Sequence, residues 1–423
     1  MLSRLFPNPS FHGWRVLGAA VVFAALSGPG QSYLLSLYID HLVADLQLSR
    51  LDVSAVYGAA TIAAALALPW VGARADRMTS AAYARAVLAL LALAMVGLSL
   101  SRALWAVALS FFALRLLGQG AISLGIVTTV VRWFRRYRGR AFAITSVGYS
   151  LGEATLPSAV VAAVAAFGWR GSLWALAAAY LLLFAPLVGA VMRERDPERE
   201  PCDGAPDPEA SELSRALQAE ASWDPRDALR SPVFWTLLAC SCVSPFLLTG
   251  MLFHLPAILR SVGWEAAAAP RAFAAYALAG MVCTYLAGFW LERVHSKIGL
   301  ASGLFALGLG AAAVFLPLGP ALGPSAIGAA LGGSAGIANA ANGVLWPAYF
   351  GVRSLGALRG VVNLARNGCT AAAPPLAAWL AGPEESFGAF AALCVGLAFS
   401  FALVALLAPR QAEPRPRPVP AAR

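Results

Sequence analysis

The amino-acid sequence predicts an all-α membrane protein of about twelve transmembrane helices in two pseudo-symmetric six-helix bundles. Three observations predict it: twelve apolar blocks of membrane length, basic residues gathered in alternate loops, and a motif that recurs in the two halves. Hydrophobic residues make up 59% of the 423 and charged residues 12%, with a mean hydropathy of +0.70. A soluble domain carries about 25% charged residues, so the chain is composed for lipid rather than for one aqueous core. The net charge of +10 is no nucleic-acid signature, because the basic residues lie scattered in short loops between apolar blocks. No nucleic-acid partner is expected; the bilayer is.

In the first half the blocks run over 14–39, 51–71, 82–100, 104–131, 141–167 and 169–192. In the second they run over 233–259, 273–291, 298–318, 324–350, 358–380 and 387–408. A spanning helix needs about 20 apolar residues, and barrel strands would be about 10 residues long with strict alternation, so helices are expected. The expected domains are a bundle over 1–192, a charged cytoplasmic linker over 193–232, a second bundle over 233–408 and a disordered tail over 409–423. The polar start through Trp14 and the long apolar run after it do not fit a removable signal peptide. The six cysteines form no C-x-x-C pair and read as small packing residues, not as metal ligands or disulfides.

Orientation follows from the loops. One alternate set holds 24 Lys and Arg and the other only 5: Arg50, Arg102, Arg170, Arg260 and Arg271. Positive loops stay cytoplasmic, which places both termini inside.

The halves repeat. Gly72, Asp76 and Arg77 follow the second block, and Gly288, Glu292 and Arg293 follow the eighth at the same spacing. Arg138-Gly139 and Arg359-Gly360 open the fifth and eleventh blocks. Duplicated bundles are a common construction of alternating-access carriers. The Gly/acid/Arg motif resembles the signature loop of the major facilitator superfamily. Arg115 followed by Gln119-Gly120 resembles the family's R-x-x-Q-G pattern, and Gly148, Gly152 and Pro157 resemble its Gly/Pro-rich pattern. The resemblance implies that the Gly residues allow close helix approach while acid and base latch the halves. Gly13-Trp14-Arg15, Trp133-Phe134-Arg135-Arg136 and Gly168-Trp169-Arg170 are similar to the bacterial monocarboxylate and oxalate–formate branch, as are the segments 228–235 and 356–360. Many carriers of that branch place a carboxylate-binding arginine four residues before the second latch Gly. Here that position is Thr284.

Few ionisable residues lie inside the blocks. A charge at a helix centre costs about 2.5–3.5 kcal/mol on insertion scales, so it usually has a partner or a function. At 1.5 Å per residue, Arg115 and Glu153 sit about 24 and 18 Å deep. They either form a structural ion pair or serve the substrate, with Glu153 also the candidate for proton coupling. Arg366, flanked by Asn363 and Asn367, suits carboxylate recognition. His254, just before Pro256, either lines the path or donates to a backbone carbonyl.

The sequence carries no Walker P-loop, no H-E-x-x-H and no G-x-S-x-G. Neither an enzyme nor a cofactor is expected, and the energy for transport has to come from a solute or ion gradient. The expected function is movement of a small organic anion, such as a monocarboxylate, by proton symport or exchange. The alternatives are a proton-coupled exporter of amphipathic or cationic compounds and a non-transporting membrane sensor of the same fold.

Overall fold

In hydrocarbon every backbone N–H and C=O has to find its partner within the chain, and the apolar blocks accordingly form helices. The computed structural model describes residues 12–134, 137–192, 223–351 and 355–409. In the first half, α1 is Gly13–Leu46, α2 Arg50–Arg77, α3 Ser80–Leu100, α4 Leu104–Trp133, α5 138–167 and α6 169–191. In the second, α7 is Pro232–Phe253, α8 Ala269–Leu291, α9 Ser296–Phe315, α10 Gly323–Phe350, α11 Leu355–Ala381 and α12 Gly388–Leu407. Among the described residues nine helical stretches are long and apolar enough to cross a membrane, and that over 140–191 holds two spans. The more polar, Gly-, Asn- and Pro-bearing α10 and α11 complete twelve.

The helix ends agree with the sequence blocks to within about four residues, save that α1 continues past Ile39 to Leu46, α2 continues past Val71 to Arg77, and α7 ends at Phe253, the rest of its block to Leu259 falling in a separate short helix, Leu255–Ser261. Most of the expected linker, 193–222, and the tail beyond Pro409 lie outside the described residues.

Local chemistry sets the breaks. In α1, Gly28-Pro29-Gly30 forms a 3-10 turn, because proline cannot donate to the helical ladder. Residues 138–178 form one helical run broken at Gly168, whose φ of 69° and ψ of 170° turn α5 into α6. A side chain strains that left-handed φ, and glycine does not. Ser49 and Asp52 close a capping box at the start of α2.

Helix crossings rest on small residues. Gly148 and Gly152 set α5 against the carbonyls of Val21 and Ala25 in α1. Gly328, Gly332 and Gly336 lay α10 on the carbonyls of Ala272, Tyr276 and Gly280 in α8. Between the halves, Gly58 of α2 meets Ala371 of α11 so closely that a Cβ would come within 2.5 Å of its carbonyl oxygen.

The two ends of the molecule differ. At the end away from the linker, Arg50 binds Asp40 at 2.5 Å and Glu385 at 2.8 Å, while Arg260 binds both oxygens of Asp40. Phe253 packs on Tyr57 at 4.3 Å just beneath. At the linker end the halves stand apart around a cavity.

Candidate functional site

The larger cavity, about 760 Å³, lies between α5 of the first half and α8 and α10 of the second. Gly148 and Gly152 seat α5 on α1, which leaves the face bearing Tyr149 and Glu153 toward the cavity. Opposite stand Tyr276, Thr284, Tyr285 and Asn339, with Phe289 and Glu292 nearer the linker end. Glu153 has no ion pair or hydrogen bond among the described residues, and the phenols of Tyr33 and Tyr276 sit within range of its charge. Among the described residues no Lys or Arg lines this cavity. Thr284 faces it and returns its hydroxyl to the Gly280 carbonyl at 2.7 Å. The position that bears the branch's arginine is thus in the path but neutral.

A second cavity, about 340 Å³, lies between α2, α4 and α11. Arg115, Gln119, Thr61, Ser123, Asn363 and Asn367 line it. Arg115 is 3% exposed. Its Nε donates to Thr61 at 3.0 Å, its Nη1 donates to the Gly30 carbonyl at 2.8 Å, and its guanidinium lies 4.9 Å from the Tyr57 ring. The Gly30 carbonyl is exposed by the 3-10 break in α1, so Arg115 completes a backbone pairing that the break disrupts.

Of the two alternatives for Arg115 and Glu153, the direct ion pair is absent. The two residues line different cavities, and the polarity of Arg115 is met by α1 and α2. The chain carries one residue more between Arg115 and Gln119-Gly120 than the R-x-x-Q-G pattern allows, and Arg115–Ala121 forms a π-helical turn. Such turns absorb an extra residue and re-aim side chains. Gly118 inside the turn packs on Gly30, where a Cβ would come within 2.6 Å of the Gly30 nitrogen.

Arg366 stands apart from its neighbours. Asn363 and Asn367 are one helical turn apart and share the second cavity, whereas Arg366 is half-buried beside Cys242 and Cys369 and lines neither cavity. His254 is fully buried, donates Nε2 to the Pro374 carbonyl at 3.0 Å and packs against Phe253 and Phe387. It serves the backbone of α11 and lines neither cavity.

A model of the Major Facilitator Superfamily matches residues 20–368. The chain belongs to that family. Two crystal structures of a bacterial homologue of the human lysosomal transporter Spinster are similar in fold. The inward-facing, occupied form has a TM-score of 0.73 at 15% identity, covering 95% of this chain and 98% of that one. The inward-facing, unoccupied form has a TM-score of 0.66 at 17% identity, covering 95% and 96%. No curated protein matches the chain. As a member of the Major Facilitator Superfamily the protein is a multi-pass membrane transporter that works by alternating access.

In this superfamily member no latch ion pair forms among the described residues. Gly72 meets only Leu124, at 3.7 Å from a built Cβ, and Gly288 meets nothing within 4 Å, so neither makes the expected close approach. Arg77 and Glu292 are exposed and carry no ion pair among the described residues; of Asp76 only the backbone is described. Arg293 reaches no farther than the Phe289 carbonyl, at 3.4 Å. Arg132 instead ties α4 to the end of α2 through the Ala75 and Met78 carbonyls, at 3.1 and 2.7 Å.

Sequence reasoning missed Tyr149, Tyr276 and Asn339 as cavity residues, since each is a single polar group in an apolar helix. It also missed Asp40, Arg50, Arg260 and Glu385. Arg50 and Arg260 stand out only as two of five arginines in otherwise uncharged-basic loops, which signals orientation rather than partnership.

Proposed function

We propose that the transporter carries a small organic anion, a monocarboxylate or related carboxylate, by proton symport or by exchange. The supporting observation is the separation of charge at the interface of the halves. Glu153 is unpaired in one cavity, while Arg115, Asn363 and Asn367 line the other. Arg115 has committed Nε and Nη1 and keeps Nη2 for a ligand. A carboxylate there meets a charge-assisted donor flanked by amides, and a proton on Glu153 balances the anion's charge during the crossing. The branch resemblance agrees with this cargo, with Arg115 in place of the arginine that Thr284 replaces.

The proposal includes cytoplasmic termini, bundles over 1–192 and 233–408 joined by a cytoplasmic linker, and residence in a bacterial inner membrane. The state described is then inward-open. Asp76, Arg77, Glu292 and Arg293 come together, and Gly72 and Gly288 meet their neighbours, when the cytoplasmic side closes.

A second reading is favoured by the larger cavity. Its carboxylates Glu153 and Glu292, its aromatic residues Tyr149, Tyr276, Tyr285 and Phe289, and the lack of a lining cation among the described residues suit an amphipathic cation. Thermal unfolding of the detergent-purified protein against mono- and dicarboxylates and tetraphenylphosphonium distinguishes the two. A ligand at 100 times its dissociation constant stabilises the folded state by about 2.7 kcal/mol. The anion reading expects a carboxylate to raise Tm in wild type and to lose its effect in Arg115→Lys, which keeps the charge but not the fork. A shift from tetraphenylphosphonium alone, abolished by Glu153→Gln, establishes the second reading instead.

A further inference from the structure

The seal at the end away from the linker is built from two acids and two bases, one of each from each half. Asp40 in α1 and Arg50 at the start of α2 belong to the first half. Arg260, beyond the end of α7, and Glu385, in the loop before α12, belong to the second. Two pairings cross between the halves: Arg50 to Glu385, with Nε at 2.8 Å and Nη2 at 3.2 Å, and Arg260 to both oxygens of Asp40. Two more stay within a half: Arg50 Nη2 to Asp40 at 2.5 Å, and Arg260 Nη2 to Glu385 at a looser 3.5 Å.

We infer that these four residues form a partner-exchange gate: the crossing pairs break when this end opens, and each half departs with an acid–base pair of its own. The arrangement answers a specific difficulty. The Arg50 side chain is only 8% exposed, and it sits in the first turn of α2, where the helix dipole disfavours a cation. Were both acids in the other half, opening would strip Arg50 of every counter-charge, and breaking a buried pair by removing one partner is strongly destabilising. Because Asp40 travels with it, Arg50 stays compensated in both states. In the second half, Arg260 and Glu385 are each more than a third exposed and are free to close their longer contact once the crossing bonds are lost.

Beneath the charges the seal is apolar: Tyr57 against Phe253 at 4.3 Å, and Tyr33 of α1 against Phe273 of α8 at 5.8 Å. Gly58 on the Ala371 carbonyl lets the helices close to backbone contact. The ionic layer therefore adds a reversible bias to a seal whose area is hydrophobic, and it does so whatever the cargo.

The test is an exchange of charges read by spin-label distances. Labels are placed at Ala44→Cys and Glu265→Cys, exposed positions on opposite halves, in the full-length protein with its native cysteines replaced. The wild-type charges should give a mainly short distance. The variant Asp40→Arg/Arg50→Asp keeps the pair inside its half but makes both crossing contacts repulsive, and it should move the population to long distances. Adding Arg260→Glu/Glu385→Arg restores attraction across the halves and should bring the short distance back. Should the reversed pairs fold poorly, Arg260→Gln/Glu385→Gln removes both crossing pairs and leaves Asp40 with Arg50. It should keep Tm and raise the long-to-short ratio about fivefold, the scale of two partly exposed ion pairs. Unchanged distances in Arg260→Gln/Glu385→Gln, or failure of the fourfold exchange to restore the short distance in protein that folds, overturns the gate.

Discussion

Arg115 and Glu153 are the residues on which the chemical account turns, and they act separately. Arg115 bonds Thr61 and the Gly30 carbonyl, so Arg115→Gln should destabilise the protein by about 1–3 kcal/mol, the cost of leaving buried polar groups unmet. Glu153 has no bonded partner to orphan, and Glu153→Gln should leave Tm nearly unchanged. In a double-mutant cycle the two effects should add to within about 0.5 kcal/mol, read from thermal unfolding in detergent. Partial rescue of Arg115→Gln by Glu153→Gln would reveal a direct pair and contradict the geometry. The sequence made both residues legible as intramembrane charges, since each is rare and costly in an apolar run. It did not disclose their partners. The Gly30 carbonyl is freed by a backbone break, which no count of charges reveals, and Arg366 lies beside Cys242 and Cys369 rather than in the cavity lined by Asn363 and Asn367, although all three are close in sequence.

At the scale of the helix, most of the fold was readable because hydrocarbon leaves an apolar run of this length little choice but a helix. The turn at Gly168 and the break at Gly28-Pro29-Gly30 also have local causes. The π-helical turn at Arg115–Ala121 has none in the hydrophobic pattern; its only trace is the extra residue between Arg115 and Gln119. Gly118→Leu tests what that turn positions. The side chain would collide with the Gly30 backbone, separate α4 from α1 and draw Arg115 away from its carbonyl. It should lower Tm by more than the same substitution at Gly288, which meets nothing within 4 Å in this state. The latch yields a different expectation. Asp76→Asn and Glu292→Gln should slow transport while leaving ligand affinity nearly intact, because Glu292 stands at the rim of the cavity and the motif acts on closure. Stopped-flow uptake beside equilibrium binding checks this, and loss of binding in folded Glu292→Gln contradicts it.

For the whole molecule, the excess of basic residues in one set of loops, 24 against 5, predicts which side faces the cytoplasm. Single cysteines at 215 and 417 should escape an impermeant maleimide applied to intact cells, and one at 384 should react. Labelling at 215 from outside would invert the proposed orientation and make the open cavity face outward. The duplication of the halves was legible in the latch motif, whereas the conformational state was not, because it depends on which cross-bundle contacts are made. The central claim is movement of an organic anion, by proton symport or by exchange, through cavities bearing Arg115 and Glu153. Proteoliposomes holding the purified protein, with and without an imposed pH gradient, test it with radiolabelled formate, oxalate, lactate and pyruvate and with tetraphenylphosphonium. The account predicts that at least one carboxylate accumulates, that the pH gradient or a counter-loaded carboxylate drives it, and that Glu153→Gln abolishes any effect of the gradient. Accumulation or extrusion of tetraphenylphosphonium alone, dependent on Glu153 and indifferent to Arg115→Lys, would contradict it.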